Sequence, residues 1–93
     1  MRIAICDDNE IQIGIFMHRI NNFLKRNGDI KALITPYDKG QPLIDDVADG
    51  EWYDIVVLDI VLREENGIEV AKELRLNGYD GNIIFFFFYF YIM

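Results

Sequence analysis

Residues 53–59 read Tyr-Asp-Ile-Val-Val-Leu-Asp, and their order decides the fold. Ile55, Val56, Val57 and Leu58 form an unbroken β-rich run, and a carboxylate, Asp59, closes it. A half-buried strand would alternate apolar with polar residues. An unbroken run fits a strand covered on both faces, as in the middle of a parallel sheet.

The pattern upstream is of the same kind. Arg2 to Cys6 is a short strand-like run that meets Asp7 and Asp8. From Asn9 the period changes: Ile13, Phe16, Ile20, Phe23 and Leu24 fall at helical spacing as one apolar stripe, stopped by Asn27-Gly28. Ile30 to Thr35 predicts a second, weaker strand that Pro36 ends. Lys39-Gly40 marks a loop, Pro42 suits a first helical turn, and Leu43, Ile44 and Val47 give that helix a buried side before Asp49-Gly50 closes it. After the Tyr53–Leu58 strand, a charged loop from Arg63 to Glu65 leads to Asn66-Gly67. Ile68, Ala71 and Leu74 then mark a third helix, stopped at Asn77-Gly78, and a fourth strand begins at Asn82. The order β-α-β-α-β-α-β predicts an α/β domain, a parallel sheet with helices on both faces.

Composition bounds what such a domain does. Ninety-three residues make one domain, and 52% hydrophobic with 27% charged residues is a globular balance. The formal charge of −7 argues against this segment gripping a nucleic-acid backbone, and leaves open DNA binding by a further domain. Cys6 is the only cysteine, which excludes an internal disulfide and fits a reducing, cytoplasmic setting. The start carries no secretory pattern, and the apolar stretch Ile83–Met93 is far shorter than the ~20 residues a spanning helix needs.

In an open α/β sheet, ligands bind beyond the carboxyl ends of the strands. Asp7 and Asp8 follow the first strand and Asp59 ends the third. If those strands are neighbours, three carboxylates converge, and their repulsion calls for a hard divalent cation. Mg2+ takes oxygen ligands and keeps several waters, so two or three carboxylates suffice. One carboxylate can then attack a phosphoryl donor and become an acyl phosphate. Against this stands the plainer reading that acids at strand ends are helix caps or solvated loop residues; the three together favour the site.

The segments Ile3-Ala4-Ile5-Cys6-Asp7-Asp8-Asn9-Glu10, Asp54 to Ile60 and Asn66-Gly67-Ile68-Glu69 closely resemble the receiver domains of two-component response regulators. The opening residues and Tyr53–Asp59 look most like regulators that carry a LytTR DNA-binding domain. The resemblance covers residues 1–86, read as an incomplete receiver domain, with 87–93 as an atypical Phe/Tyr-rich tail. It implies a flavodoxin-like (CheY-like) doubly wound sheet of strand order 2-1-3-4, truncated before a fifth strand and helix. It implies Asp59 as phosphoacceptor, with Asp7, Asp8, Asp59 and the Val61 backbone carbonyl around Mg2+. It also implies a sensor histidine kinase as partner and control of a separate transcriptional output domain, with no enzyme activity beyond slow autophosphorylation and autodephosphorylation.

Two departures accompany the match. The resemblance places a Thr or Ser where Phe87 stands, and a lysine at the end of a fifth strand that these residues do not contain. The expectation is a receiver with impaired signalling, or a switch-defective one that serves only as a self-associating interaction module. Residues 83–92 are a flat, uncharged β-former without proline, so self-association through the fourth-strand edge and the tail is expected. An aspartyl-phosphate hydrolase is disfavoured, because Asp59-Ile60-Val61 lacks the second acid of its Asp-x-Asp pattern. Of the remaining residues, His18 reads as a partly exposed helix residue rather than a phosphoacceptor or metal ligand, Cys6 as a buried apolar group, Trp52 as packed over a loop, and Glu64 and Glu65 as a solvated face.

Overall fold

The computed structural model describes residues 1–86. Strand β1 (Arg2–Cys6) leads to helix α1 (Glu10–Arg26), β2 (Leu33–Tyr37), α2 (Gly40–Ala48), β3 (Ile55–Asp59), α3 (Gly67–Leu76) and β4 (Asn82–Phe86). The four strands are all parallel, in the order β2-β1-β3-β4. This is the doubly wound, flavodoxin-like arrangement expected from the alternation of periods.

Alternation along β1 and β3 divides the core. Ala4, Cys6, Val56 and Leu58 face α2 and α3, packing on Leu43, Ile44, Val47, Val70, Ala71 and Leu74. Ile3, Ile5 and Val57 face α1 through Ile13, with Phe16, Met17 and Ile20 partly buried beside them. Both faces of the central strands are thus covered, which is why their sequences are apolar without a break. Asn9 and Asn66 close the starts of α1 and α3, their side chains accepting from the N–H groups of Gln12 and Ile68.

Some boundaries differ from the sequence expectation. The second strand starts at Leu33 because Ile30 is used elsewhere: its N–H donates to Leu24 O at 3.1 Å in the exit from α1. Pro36 does not end that strand but pairs with Ile5 inside it. Among the described residues β2 is an outer strand bonded only to β1, and a proline without an N–H is tolerated at a sheet edge. The third strand begins at Ile55 and includes Asp59. Phe23 is 58% exposed. Ten residues after Ile13, it is rotated by about 80° from the centre of the apolar stripe, whereas Leu24 falls back onto it. Ile68 and Trp52 are also exposed; Trp52 lies under the Arg2 guanidinium, 5.5 Å from its ring centre, rather than over a loop.

Sequence reading did not foresee a polar cluster inside the core. Tyr37 donates to Asp46 at 2.6 Å and lies 2.5 Å from the Tyr53 hydroxyl, while the Tyr79 hydroxyl donates to Tyr53 O at 2.8 Å. Each hydroxyl therefore has a partner, as buried polar groups require.

Candidate metal and phosphoacceptor site

The central pair β1 and β3 are neighbours in register from Ile3↔Ile55 to Cys6↔Leu58, so their carboxyl ends lie side by side. The chain leaves β1 with its direction fixed, since the Asp7 N–H donates to Tyr37 O at 3.0 Å. Asp7 is fully buried and Asp59 nearly so, whereas Asp8 is half-buried. One carboxylate oxygen from each of Asp7, Asp8 and Asp59 lies within 4.8 Å of the others. The three acids singled out from the sequence are brought together.

Each buried carboxylate has one oxygen in use. Asp7 Oδ1 accepts from the Asn9 N–H and Asp59 Oδ1 from the Val61 N–H, both at 3.0 Å. Asp7 Oδ2 is buried with no hydrogen-bond partner. No Lys or Arg among the described residues forms an ion pair with any of the three. Burial pushes the Asp7 carboxyl from its ordinary 3.8 up to about 6; the Asn9 N–H opposes this, and the charges on Asp59 and Asp8 add to it. Asp59 is also raised, by burial first, with the Val61 N–H pulling the other way.

The residues fit a hard divalent cation. An orphaned buried carboxylate oxygen and converging anions without a neighbouring cation are what such an ion relieves, and all the donors are oxygens. The Val61 carbonyl accepts no hydrogen bond among the described residues, so it remains open as a further oxygen donor.

The loop that leaves Asp59 is held tightly. The Gly67 N–H donates to Ile60 O at 2.9 Å, and Val61 bridges Asn66 in antiparallel fashion. A Cβ on Gly67 would stand 2.0 Å from the Asp59 carbonyl oxygen, so the close return of the chain requires glycine here. Glu65, expected on a solvated face, instead turns inward to the start of α2. Sequence reading missed this contact; its one visible sign was a helix start without an acid or a capping side chain. Beside the acids opens a cavity of about 380 Å3, with Asp8, Asp38, Lys39, Leu62, Arg63 and Glu65 in its walls.

On β4, Phe86 pairs with Asp59, and its carbonyl accepts from the Ile60 N–H at 2.8 Å. Phe87 and the 87–93 tail lie outside the described residues. His18 is exposed and shares a hydrogen bond with Asn22. Cys6 is buried, and its thiol is pushed up to about 12, chiefly by that burial, so it is an inert core group.

No protein-family model matches the chain, and no curated protein matches it. Solved structures do. The response regulator TrrA from Thermotoga maritima, solved in complex with Mg2+ and BeF, superposes with TM-score 0.67 at 28% identity over 95% of this chain and 70% of its own. The N-terminal domain of a response regulator/sensory box/GGDEF three-domain protein from Carboxydothermus hydrogenoformans gives TM-score 0.73 at 22% identity, covering 94% and 64%. The response regulator MaeR, bound to beryllium trifluoride, gives 0.69 at 24% identity, covering 98% and 70%. The chain spans 54% to 70% of the solved chains it resembles. Its fold is that of response-regulator receiver domains. Among the described residues, no helix is long and apolar enough to cross a membrane.

Proposed function

We propose that the chain is the phosphoacceptor receiver domain of a two-component response regulator. The observation that carries this reading is the meeting of Asp7, Asp8 and Asp59 at the carboxyl ends of adjacent parallel strands, one oxygen left without a partner. The similarity in fold to response regulators, one of them solved with Mg2+ and BeF, supports it.

In this reading Asp59 is the nucleophile. It stands at the end of β3 with one oxygen held by the Val61 N–H, which leaves the other to attack phosphorus. The phosphorus–nitrogen bond of a phosphohistidine donor on a sensor kinase breaks as the acyl phosphate forms, and the imidazole leaves with the electron pair. Asp7, Asp8, Asp59 and the Val61 carbonyl would hold Mg2+, which supplies charge neutralisation for the transferring phosphoryl group. Asp7 must be ionised to take part, and burial raises its pKa to about 6, so protons compete with the cation for this carboxylate as the pH falls through that value. Hydrolysis of the product would be slow and incidental, so we classify the domain as a phosphoacceptor rather than an enzyme. It would act in the cytoplasm, with a separate DNA-binding output domain of the LytTR kind as the element controlled.

A second reading, assembly without switching, is favoured by one observation. Among the described residues β4 is an outermost strand, and its Ile84 and Phe85 are 50% and 41% exposed. Part of the segment expected to self-associate, residues 87–92, lies outside the described residues. Light scattering that finds a monomer at high concentration would exclude this second reading.

The test of the main reading is incubation with Mg2+ and acetyl phosphate or phosphoramidate, followed by intact mass. A gain of one phosphoryl group in the wild type that is absent in Asp59→Asn is the expected result. An equal gain in the variant, or none in a wild type that binds Mg2+, contradicts it.

A further inference from the structure

Helix α2 starts without the groups that ordinarily close a helix. Its N-cap residue, Lys39, makes no side-chain hydrogen bond, its first turn holds no acid, and Pro42 has no N–H to offer. The Gly40 N–H is nevertheless satisfied: it donates to Glu65 Oε1 at 2.5 Å, across 25 residues of chain. The carboxylate is seated as well as bonded. A Cβ on Gly40 would lie 2.9 Å from Glu65 Oε2 and 2.5 Å from Val70 Cγ2, so no side chain fits between them. A negative charge at the positive end of α2 is favourable, and here it comes from another element.

That element is the loop leaving Asp59. The Leu62 N–H donates to Glu65 O at 3.2 Å, Val61 bridges Asn66, and Gly67 packs on the Asp59 carbonyl. The run from Asp59 to Gly67 is therefore closed on itself at its base and tied outward, through one side chain, to α2. Among the described residues no other side-chain hydrogen bond joins this loop to that helix.

We propose that Glu65 is a positioning residue for the phosphoacceptor site. Through Gly40 it anchors the 60–66 loop and so fixes the Val61 carbonyl and the Asp59 carboxylate where the cation needs them. The proposal rests on the reading of Asp7, Asp8 and Asp59 as a Mg2+ site. Partners that orient metal ligands from outside commonly change metal affinity by 10- to 100-fold when removed. A residue that merely capped α2 would change stability and leave affinity alone.

The experiment separates these roles in the full chain. Glu65→Ala removes charge and acceptor together. Lys39→Ser gives α2 a cap of its own without touching the loop. Mg2+ affinity is read by calorimetry, thermal midpoint by circular dichroism, and exchange of the Leu62 amide by NMR. Glu65→Ala is expected to weaken Mg2+ binding about tenfold and to speed Leu62 exchange. Adding Lys39→Ser recovers the thermal midpoint, while affinity stays about tenfold below that of Lys39→Ser alone. Recovery of both, or a Kd for Glu65→Ala equal to wild type, overturns the proposal. A wild type that binds no Mg2+ refutes the reading of the acids instead. Leu62 exchange then decides the anchor by itself: faster in Glu65→Ala upholds it, and an unchanged rate overturns it.

Discussion

The two ends of β1 and β3 treat charge in opposite ways. At the amino ends, the Arg2 guanidinium pairs with Glu51 and lies over Trp52 and Tyr53, 5.5 Å from each ring centre, while the Arg2 N–H donates to Asp54 at 2.7 Å. Acid and base meet there within the chain. At the carboxyl ends, six residues or fewer along the same strands, Asp7, Asp8 and Asp59 converge with no Lys or Arg paired to them among the described residues, one oxygen buried and unpartnered. The contrast is one of charge, since each end buries one unpartnered polar atom, Arg2 Nε at the first and Asp7 Oδ2 at the second, but only the acidic end gathers like charges. On the proposed reading, that end takes its neutralising charge from a bound cation. Such an arrangement weakens the fold locally, because a buried carboxylate without a partner is costly.

The largest effect is expected where the acidic end is shaped rather than charged. Gly67→Ala places a methyl group against the Asp59 carbonyl and must open the loop, so stability should fall by about 3 kcal/mol or more. Urea unfolding measures this, and a loss under about 1 kcal/mol would mean the loop yields easily. Removing one of the unneutralised charges should act in the other direction. Asp7→Asn keeps the shape and lets an amide face Asp59, so the metal-free protein should gain about 1–2 kcal/mol while Mg2+ binding is lost. A destabilised variant would show that the carboxylates are not in conflict.

The pH dependence sharpens the same contrast. The folded state raises Asp7 from 3.8 to about 6, so between these values the folded protein holds more protons than the unfolded chain. The stability this group contributes is therefore present below 3.8 and lost as pH rises through about 6. Metal-free wild type should gain in thermal midpoint relative to Asp7→Asn as pH is lowered from 7 to 5. Mg2+ affinity should run the opposite way, falling below about 6 as Asp7 takes a proton. The smallest effect belongs to the neutralised end. Glu51→Gln removes a partly exposed ion pair and should cost less than about 1 kcal/mol, with Mg2+ affinity unchanged. A changed affinity would show that the ends are coupled.

How far these features are legible in the sequence depends on the range of the interaction. The unbroken run Ile55–Leu58 announces a strand buried on both faces, and Asp7-Asp8 and Asp59 each announce acids at a strand end, because these are local patterns. That the three acids meet depends on β1 and β3 lying side by side. Pro36 misleads, since its cost depends on whether β2 has one neighbour or two, which only the sheet order decides. Phe23 misleads because ten residues of helical drift carry it off the stripe. Glu65 reads as one more loop acid; its contact with Gly40 exists only after α2 and α3 pack side by side on the sheet. The tyrosine cluster around Tyr37 is hidden for the same reason, its members joining α2, β2 and the segments flanking β3 and β4.

The most direct measurement is the thermal midpoint of wild type and Asp7→Asn at pH 7, with and without Mg2+. If the acidic end awaits a cation, the metal-free variant melts above the metal-free wild type, and Mg2+ raises the wild type alone. Equal response of the two proteins to Mg2+, or none in either, would contradict the account.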